Sequence, residues 1–370
     1  MSAQTKRPHL ATIDVLRLVA ALSVVLFHIF FRGAAGDAQL AQGYPEVAGI
    51  ALYGYLGVNL FFLISGYVIA WSAEGRAWDS FAISRFVRLY PAFLFCMTLT
   101  FIVLFAVASP LFPVTLNQYL ANIVLFAPAF GQPFLDGVYW SIVIELIFYG
   151  WLTLALLTGL FERRKLEIVA VWLAVCALNE FFIGSGAMRM LFITEFGPFF
   201  VAGILTHHLQ TRGRSAEAIG LLVGAFALSC ATLTVTQGWM QDHYGIAVPL
   251  PGLIIANVVM HVTLFAAIRF SHVLRASGWT LAIGGLTYPL YLLHQNIGYL
   301  VVDALAPSTG RWLAAGVTIA ALIVVSWAIW RYVENPAQGL LRRAIMPVQA
   351  RIHSAWAARP GRSPAPAATA

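Results

Sequence analysis

Four groups of polar side chains interrupt apolar runs in this chain, and their types suit proton transfer and anion binding. In IDVLRLVAALSVVLFHIFF, residues 13–31, Asp14, Arg17 and His28 stand in an otherwise apolar segment. At about 100° per residue, eleven positions bring a helix back to within about 20° of its starting direction. Arg17 and His28 therefore share one face, about 16 Å apart along the axis. The imidazole suits a general base or a nucleophile. Arg17 is either an interfacial anchor or an anion ligand, and Asp14, three residues earlier, is spaced to pair with it. Ionisable groups inside a span are costly enough to count as functional candidates.

The second group lies in DGVYWSIVIELIFYG, residues 136–150. Ser141, Glu145 and Tyr149 recur every four residues on one helical face, with Trp140 beside Ser141. Counted from the outer end of the span, Glu145 comes to the depth of His28. A carboxylate there would fix the imidazole tautomer and stabilise the imidazolium. The alternative is a hydrogen-bonded tie between helices. The third group is SRFVRLYP, residues 84–91, with Arg85 and Arg88 three apart, either membrane anchors or a clamp for phosphate. The fourth is GGLTYPLYLLHQNIGYL, residues 284–300, where Tyr288, Tyr291, His294, Gln295 and Asn296 bring polar tips near mid-membrane as a cavity lining, and Pro289 frees backbone groups. In RYVENPAQ, Arg331 and Glu334 are spaced to pair at a helix end. The other histidines form no ligand set, so no metal is expected.

These residues must be held by membrane helices. The chain has 370 residues, 60% hydrophobic and 10% charged, against about 25% charged in a soluble domain. It cannot cover itself with a polar surface, so an all-α polytopic helix bundle is expected. Spans of about 20 apolar residues fall near 11–31, 51–71, 89–109, 138–160, 166–184, 189–209, 216–236, 249–269, 279–302 and 311–331. The stretch 118–130 is an eleventh span or a re-entrant segment, and charge decides. With ten spans and both termini inside, 18 of the 22 lysines and arginines face the cytoplasm, three face outward and Arg17 is intramembrane. Eleven spans would carry the ERRK cluster at 162–165 outside and destroy that asymmetry. The net charge of +7 thus reads as topology rather than as a nucleic-acid surface.

Cys96, Cys176 and Cys230 all lie in apolar segments, which argues against disulfides and zinc. No cleavable signal peptide is expected in residues 1–10, which form a cytoplasmic segment. The transmembrane domain is expected over 11–336, with 337–370 a largely disordered cytoplasmic tail. No internal repeat is visible.

Together the motifs resemble the acyltransferase-3 family of membrane acyltransferases. RLVAALSVVLFH resembles its arginine–ten residues–histidine signature, LGVNLFFLISGYVI its second helix, FAISRFVRLYP its paired-arginine segment and YWSIVIELIFY its serine–glutamate helix. TYPLYLLHQ and RYVENP resemble its closing signatures. The resemblance implies transfer of an acyl group, usually acetyl, from cytoplasmic acyl-CoA to a hydroxyl on a cell-surface or lipid-linked carbohydrate at the bacterial inner membrane. It implies His28 as catalytic histidine with Arg17 its motif partner, Glu145 as a catalytic-site carboxylate, and Arg85 and Arg88 as CoA-phosphate ligands. Acyl-CoA is then a co-substrate, no cofactor is tightly bound, and any separate periplasmic acyl-handling partner is unread. The rival reading is a transporter or flippase whose polar residues line a path. The acceptor glycan is not legible.

Overall fold

The computed structural model describes residues 9–35 and 38–357, with side chains as far as Arg351. All regular structure among them is helical. The expected cytoplasmic segment 1–10 lies almost entirely outside the described residues.

Helix α1 (Ala11–Phe27) passes into one π-helical turn, His28–Arg32. Helix α2 (Pro45–Ala51) leads through a tight 3₁₀ turn into α3 (Gly57–Ala73), and α4 (Trp78–Val107) follows. After α5 (Leu116–Ile123) come α6 (Tyr139–Leu157), α7 (Leu160–Arg163), α8 (Lys165–Leu178) and α9 (Gly186–Leu191). Helices α10 (Gly197–Arg212), α11 (Ala216–Tyr244), α12 (Leu250–Arg269) and α13 (Gly278–Leu293) precede α14 (Asn296–Thr309), α15 (Arg311–Ile329) and α16 (Asn335–Ala357).

Eight helical stretches among the described residues are long and apolar enough to cross a membrane. Two of the ten expected spans are shorter. Helices α10 and α13 have 16 residues each, below the usual spanning length. Both are central: Gly197 through His207 is buried without interruption. A helix that is apolar all round belongs inside a bundle. Its seat is made by small residues. A Cβ added to Gly66 of α3 would strike the Phe200 carbonyl, and one on Gly203 of α10 would strike that of Leu63. The two backbones touch because neither position carries a side chain.

Ion pairs and loop contacts sort to two ends. Arg212 meets Glu74 at 3.2 Å and Glu162 at 3.8 Å, and the Gly75 amide donates to Glu162 at 3.0 Å. At the opposite end Arg311 reaches Glu46 and donates to the Gly43 carbonyl at 2.6 Å, and the Ala41 amide donates to Asp303 at 3.1 Å. The first grouping joins loops expected on the inner side and the second joins loops expected on the outer side. The 118–130 stretch does not span: α5 has eight residues and a 3₁₀ turn follows. Asn122 ties it to the Pro133 carbonyl and the Leu135 amide at 3.0 and 3.1 Å.

Two further details depart from expectation. The segment after 336, read as a largely disordered tail, continues as α16 to Ala357, while 358–370 lie outside the described residues. Gln338 of α16 donates to the Arg88 carbonyl and Gln349 to Ser80, so it docks on α4. The expected span 279–302 breaks at His294 and Gln295, one turn beyond Pro289. There Asp136 accepts from the Asn296 amide at 3.0 Å, which caps α14, and from the Val138 amide at 3.1 Å, at the start of α6.

Candidate active site

His28 opens the π-helical turn that closes α1, and its ring is 5% exposed. A π-turn inserts one residue into the helical register and is common at functional sites. Nδ1 of His28 lies 2.8 Å from the Val24 carbonyl, which can only accept, so Nδ1 carries the proton. His294, at the α13–α14 break, donates from Nδ1 to the Tyr291 carbonyl at 2.8 Å. That leaves its Nε2 as an acceptor, 3.1 Å from Nδ1 of His28. The rings meet edge to face, with centroids 4.7 Å apart. Both contacts assign the lone pair of His28 to Nε2. Arg32, four residues on, brings Nη1 to 3.4 Å from that nitrogen.

His28 and Arg32 line a cavity of about 760 Å³, together with Asn59, Trp140, Trp239 and Asp242. A second, narrow cavity of about 60 Å³ lies towards the inner end, lined by Arg17, Ser65, Ser141, Glu145 and Tyr288. Val58 and Tyr291 line both. At that shared edge the Tyr291 hydroxyl is hydrogen-bonded to Ser141 at 2.6 Å.

Glu145 therefore does not pair with His28. It accepts from Ser65 at 3.0 Å and from Tyr149 at 2.5 Å, on the inner cavity. The reason lies in where α6 begins. Asp136 and Tyr139 are both 0% exposed, so the helix starts inside the protein and its residues sit deeper than a count from the surface implies. Asp14 likewise pairs with His9 at 2.5 Å rather than with Arg17. Arg17 is left facing Glu145 across the narrow cavity.

Arg88 is within electrostatic reach of Arg17, and Arg85 of Glu145 and Tyr149. Arg85 and Arg76 both donate to the Ser84 hydroxyl, at 3.4 and 3.2 Å, so three arginines gather at the mouth of α4. Glu334 does not pair with Arg331, which is exposed. It is buried, accepts from Gln338 at 2.8 Å and faces the Arg17 and Arg88 charges. Tyr288 aims a hydroxyl without a partner among the described residues at the narrow cavity. Asn296 lines neither cavity. It holds the helix break closed by donating to the Leu135 carbonyl at 2.9 Å.

The residues thus sort along the bundle. An arginine cluster with a carboxylate lies towards one end of the bundle, an imidazole whose Nε2 is an acceptor lies towards the other, and Tyr291 lines the cavities of both. Such a set can grip a phosphorylated group at one end and take a proton at the other. Missed from the sequence were Arg32, counted only as an outer charge, and Asp136, which builds the helix break. The four-residue spacing from His28 to Arg32 was the available signal. No metal-ligating group of three His, Cys, Asp or Glu residues occurs among the described residues.

The acyltransferase-domain family matches residues 10–331. The acyltransferase MdmB of Streptomyces mycarofaciens is 28% identical over 51% of this chain and 48% of its own length. The peptidoglycan O-acetyltransferase OatA of Listeria monocytogenes is 23% identical over 89% of this chain and 56% of its own. Nodulation protein 10 of Rhizobium leguminosarum is 25% identical over 90% of this chain and 94% of its own. The chain thus spans about half the length of the first two. No solved structure matches it. The family match spans both cavities and every motif that builds them short of the α15–α16 corner, and on that ground the chain belongs to the acyltransferase-3 family of membrane proteins.

Proposed function

We propose that this protein transfers an acyl group, with acetyl the first candidate, from cytoplasmic acyl-CoA to a hydroxyl of a carbohydrate presented on the outer side of a bacterial inner membrane. The observation that supports this reading is the order along the bundle: Arg17 with Glu145 on the narrow cavity, Tyr291 shared by both cavities, and His28, whose Nε2 is an acceptor, on the larger one. The family and the names of the relatives, among them a peptidoglycan O-acetyltransferase, agree with it.

The phosphates of CoA cannot enter the hydrocarbon, but its thin pantetheine arm can. Arg85 and Arg88, with Arg76 beside them, hold the phosphates by charge-assisted hydrogen bonds. Arg17, facing Glu145 across the narrow cavity, guides the arm through it. To pass, the arm displaces the Tyr291–Ser141 hydrogen bond, a net cost of about 0.5–1.5 kcal/mol. In the outer cavity the faces of Trp140 and Trp239 suit a sugar ring, and Asn59 and Asp242 suit its hydroxyls. His28 Nε2 removes the hydroxyl proton as the oxygen attacks the thioester, a contribution of about 10²–10⁴-fold. The same nitrogen serves a route through an acyl-imidazole, which a burst of labelled acyl-protein without acceptor would mark.

The test is release of free thiol from acetyl-CoA by purified protein, with and without surface glycans. Acceptor-stimulated release supports the reading. Glycan or solute movement across vesicles without thiol release would instead favour a transporter.

A further inference from the structure

Arg32 lies four residues beyond His28 and lines the same cavity. Its Nη1 sits 3.4 Å from His28 Nε2 and 3.5 Å from the Gln295 carbonyl oxygen, both at the far limit of a hydrogen bond. Its Nε is buried and has no partner among the described residues. No carboxylate among them lies within ion-pair distance of it. Asp136, the acidic group that feels its charge, has both oxygens on backbone amides. The other arginine lining this cavity, Arg189, is neutralised by Glu180 at 2.7 Å. A half-buried guanidinium that lines the cavity beside a base, with Nε unpartnered and no carboxylate within ion-pair distance, is placed to receive an anion that arrives during function.

The location identifies that anion. The hydroxyl deprotonated by Nε2 must attack a carbonyl carbon close to both, so the carbonyl oxygen falls beside the guanidinium. We propose that Arg32 is a catalytic residue that holds the acyl carbonyl oxygen of the thioester and the negative charge that develops on it. The acceptor oxygen forms its bond to the carbonyl carbon, its proton moves to His28 Nε2, and the carbonyl π pair moves onto the oxygen held by Nη1 and Nε of Arg32. When that pair returns, the carbon–sulfur bond breaks, and the leaving thiolate takes the proton back from the His28 imidazolium. The products are the ester and free CoA thiol, with every proton and electron pair accounted for. Gln295, itself held by Asn296 at 3.1 Å, keeps the guanidinium aimed at the cavity until the substrate arrives.

This inference rests on the acyl-transfer reading above. The experiment is steady-state thiol release by the full-length protein in nanodiscs, with acetyl-CoA as donor and the surface-glycan fraction that supports wild-type turnover as acceptor. Arg32→Gln and Arg32→Ala should lower kcat about 10²–10³-fold, as loss of an oxyanion donor does, with the KM for acetyl-CoA within about twofold of wild type. Arg32→Lys should recover part of the loss, and added guanidinium should raise the rate of Arg32→Ala, which a merely unfolded variant would not show. An unchanged kcat would overturn the proposal. So would a raised acceptor KM with kcat intact, which would make Arg32 a clamp for an anionic glycan. His28→Ala measured alongside separates the two levels. If it is inactive while Arg32→Gln keeps full kcat, the role of Arg32 alone falls. If it turns over at the wild-type rate, the acyl-transfer assignment falls and this inference with it.

Discussion

His294 Nε2 accepts from His28 Nδ1 at 3.1 Å, although 266 positions separate the two residues in the chain. One ring comes from a π-turn and the other from a helix break, so two local departures from α-helical register are needed to make the pair. The consequence is a single assigned tautomer, with Nε2 of His28 the acceptor on the Arg32 side of the ring.

Replacing His294 by Phe should therefore lower kcat about three- to tenfold, the value of one net hydrogen bond, without changing the KM for acetyl-CoA. His294→Gln keeps an acceptor and should retain most of the activity. Equal loss in both variants would show that packing, not the acceptor, matters.

Tyr291→Phe removes the bond to Ser141 at the edge shared by the two cavities. Hydrolysis of acetyl-CoA without acceptor should rise about three- to tenfold, because water from the outer cavity reaches the thioester more often. Measuring free thiol in the absence of glycan checks this, and an unchanged rate would mean that the cavities join elsewhere.

Arg85→Gln and Arg88→Gln should each raise the KM for acyl-CoA about tenfold to a hundredfold, as expected for hydrogen bonds to charged groups, with kcat altered less. Direct binding of CoA gives the same information without chemistry. Unchanged donor affinity would return both residues to membrane anchoring.

Asp136, in the loop ahead of α6, is fully buried. Burial raises its carboxyl to about 6, against the pull of the Asn296 and Val138 amides and the Arg32 charge. Unfolded, the group titrates near about 4. The folded protein thus keeps this proton after the unfolded chain has lost it. Stability from this group is complete below about pH 4 and falls by about 3 kcal/mol as pH rises to about 6. Unfolding midpoints of the wild type and Asp136→Asn, compared from pH 4 to 7, should diverge across that window and run parallel above it. Parallel profiles throughout would contradict the account. Asp136→Ala should be destabilised at every pH, by about 1–3 kcal/mol for each amide left unmet.

The all-helical bundle was legible because hydropathy follows from the membrane itself. Helix geometry put Arg17 and His28 on one face, and in the structure the two line different cavities. The partner of His28 was not legible. Assigning Glu145 to it required knowing where α6 begins, and that start is displaced inward by Asp136, a tertiary contact with α14 that no periodicity records. The α13–α14 break was hidden for a similar reason. Pro289 advertises irregularity, yet the chain stays helical through it and breaks where the capped Asn296 amide and the His294 side chain satisfy the freed groups. Arg32 was read only as an outer charge and Glu334 only against Arg331, while Gln295 meets the first and the Arg17 and Arg88 charges face the second.

The central claim is that a donor held on the cytoplasmic side is delivered to a base that opens on the other side. Proteoliposomes carrying the protein in one orientation, with labelled acetyl-CoA confined to the cytoplasmic face and surface glycan to the opposite face, test it most directly. The account predicts acetyl ester on the glycan and free thiol on the donor side, both lost in His28→Ala. Ester formation that requires donor and glycan on the same face, or that survives the loss of His28, would contradict it.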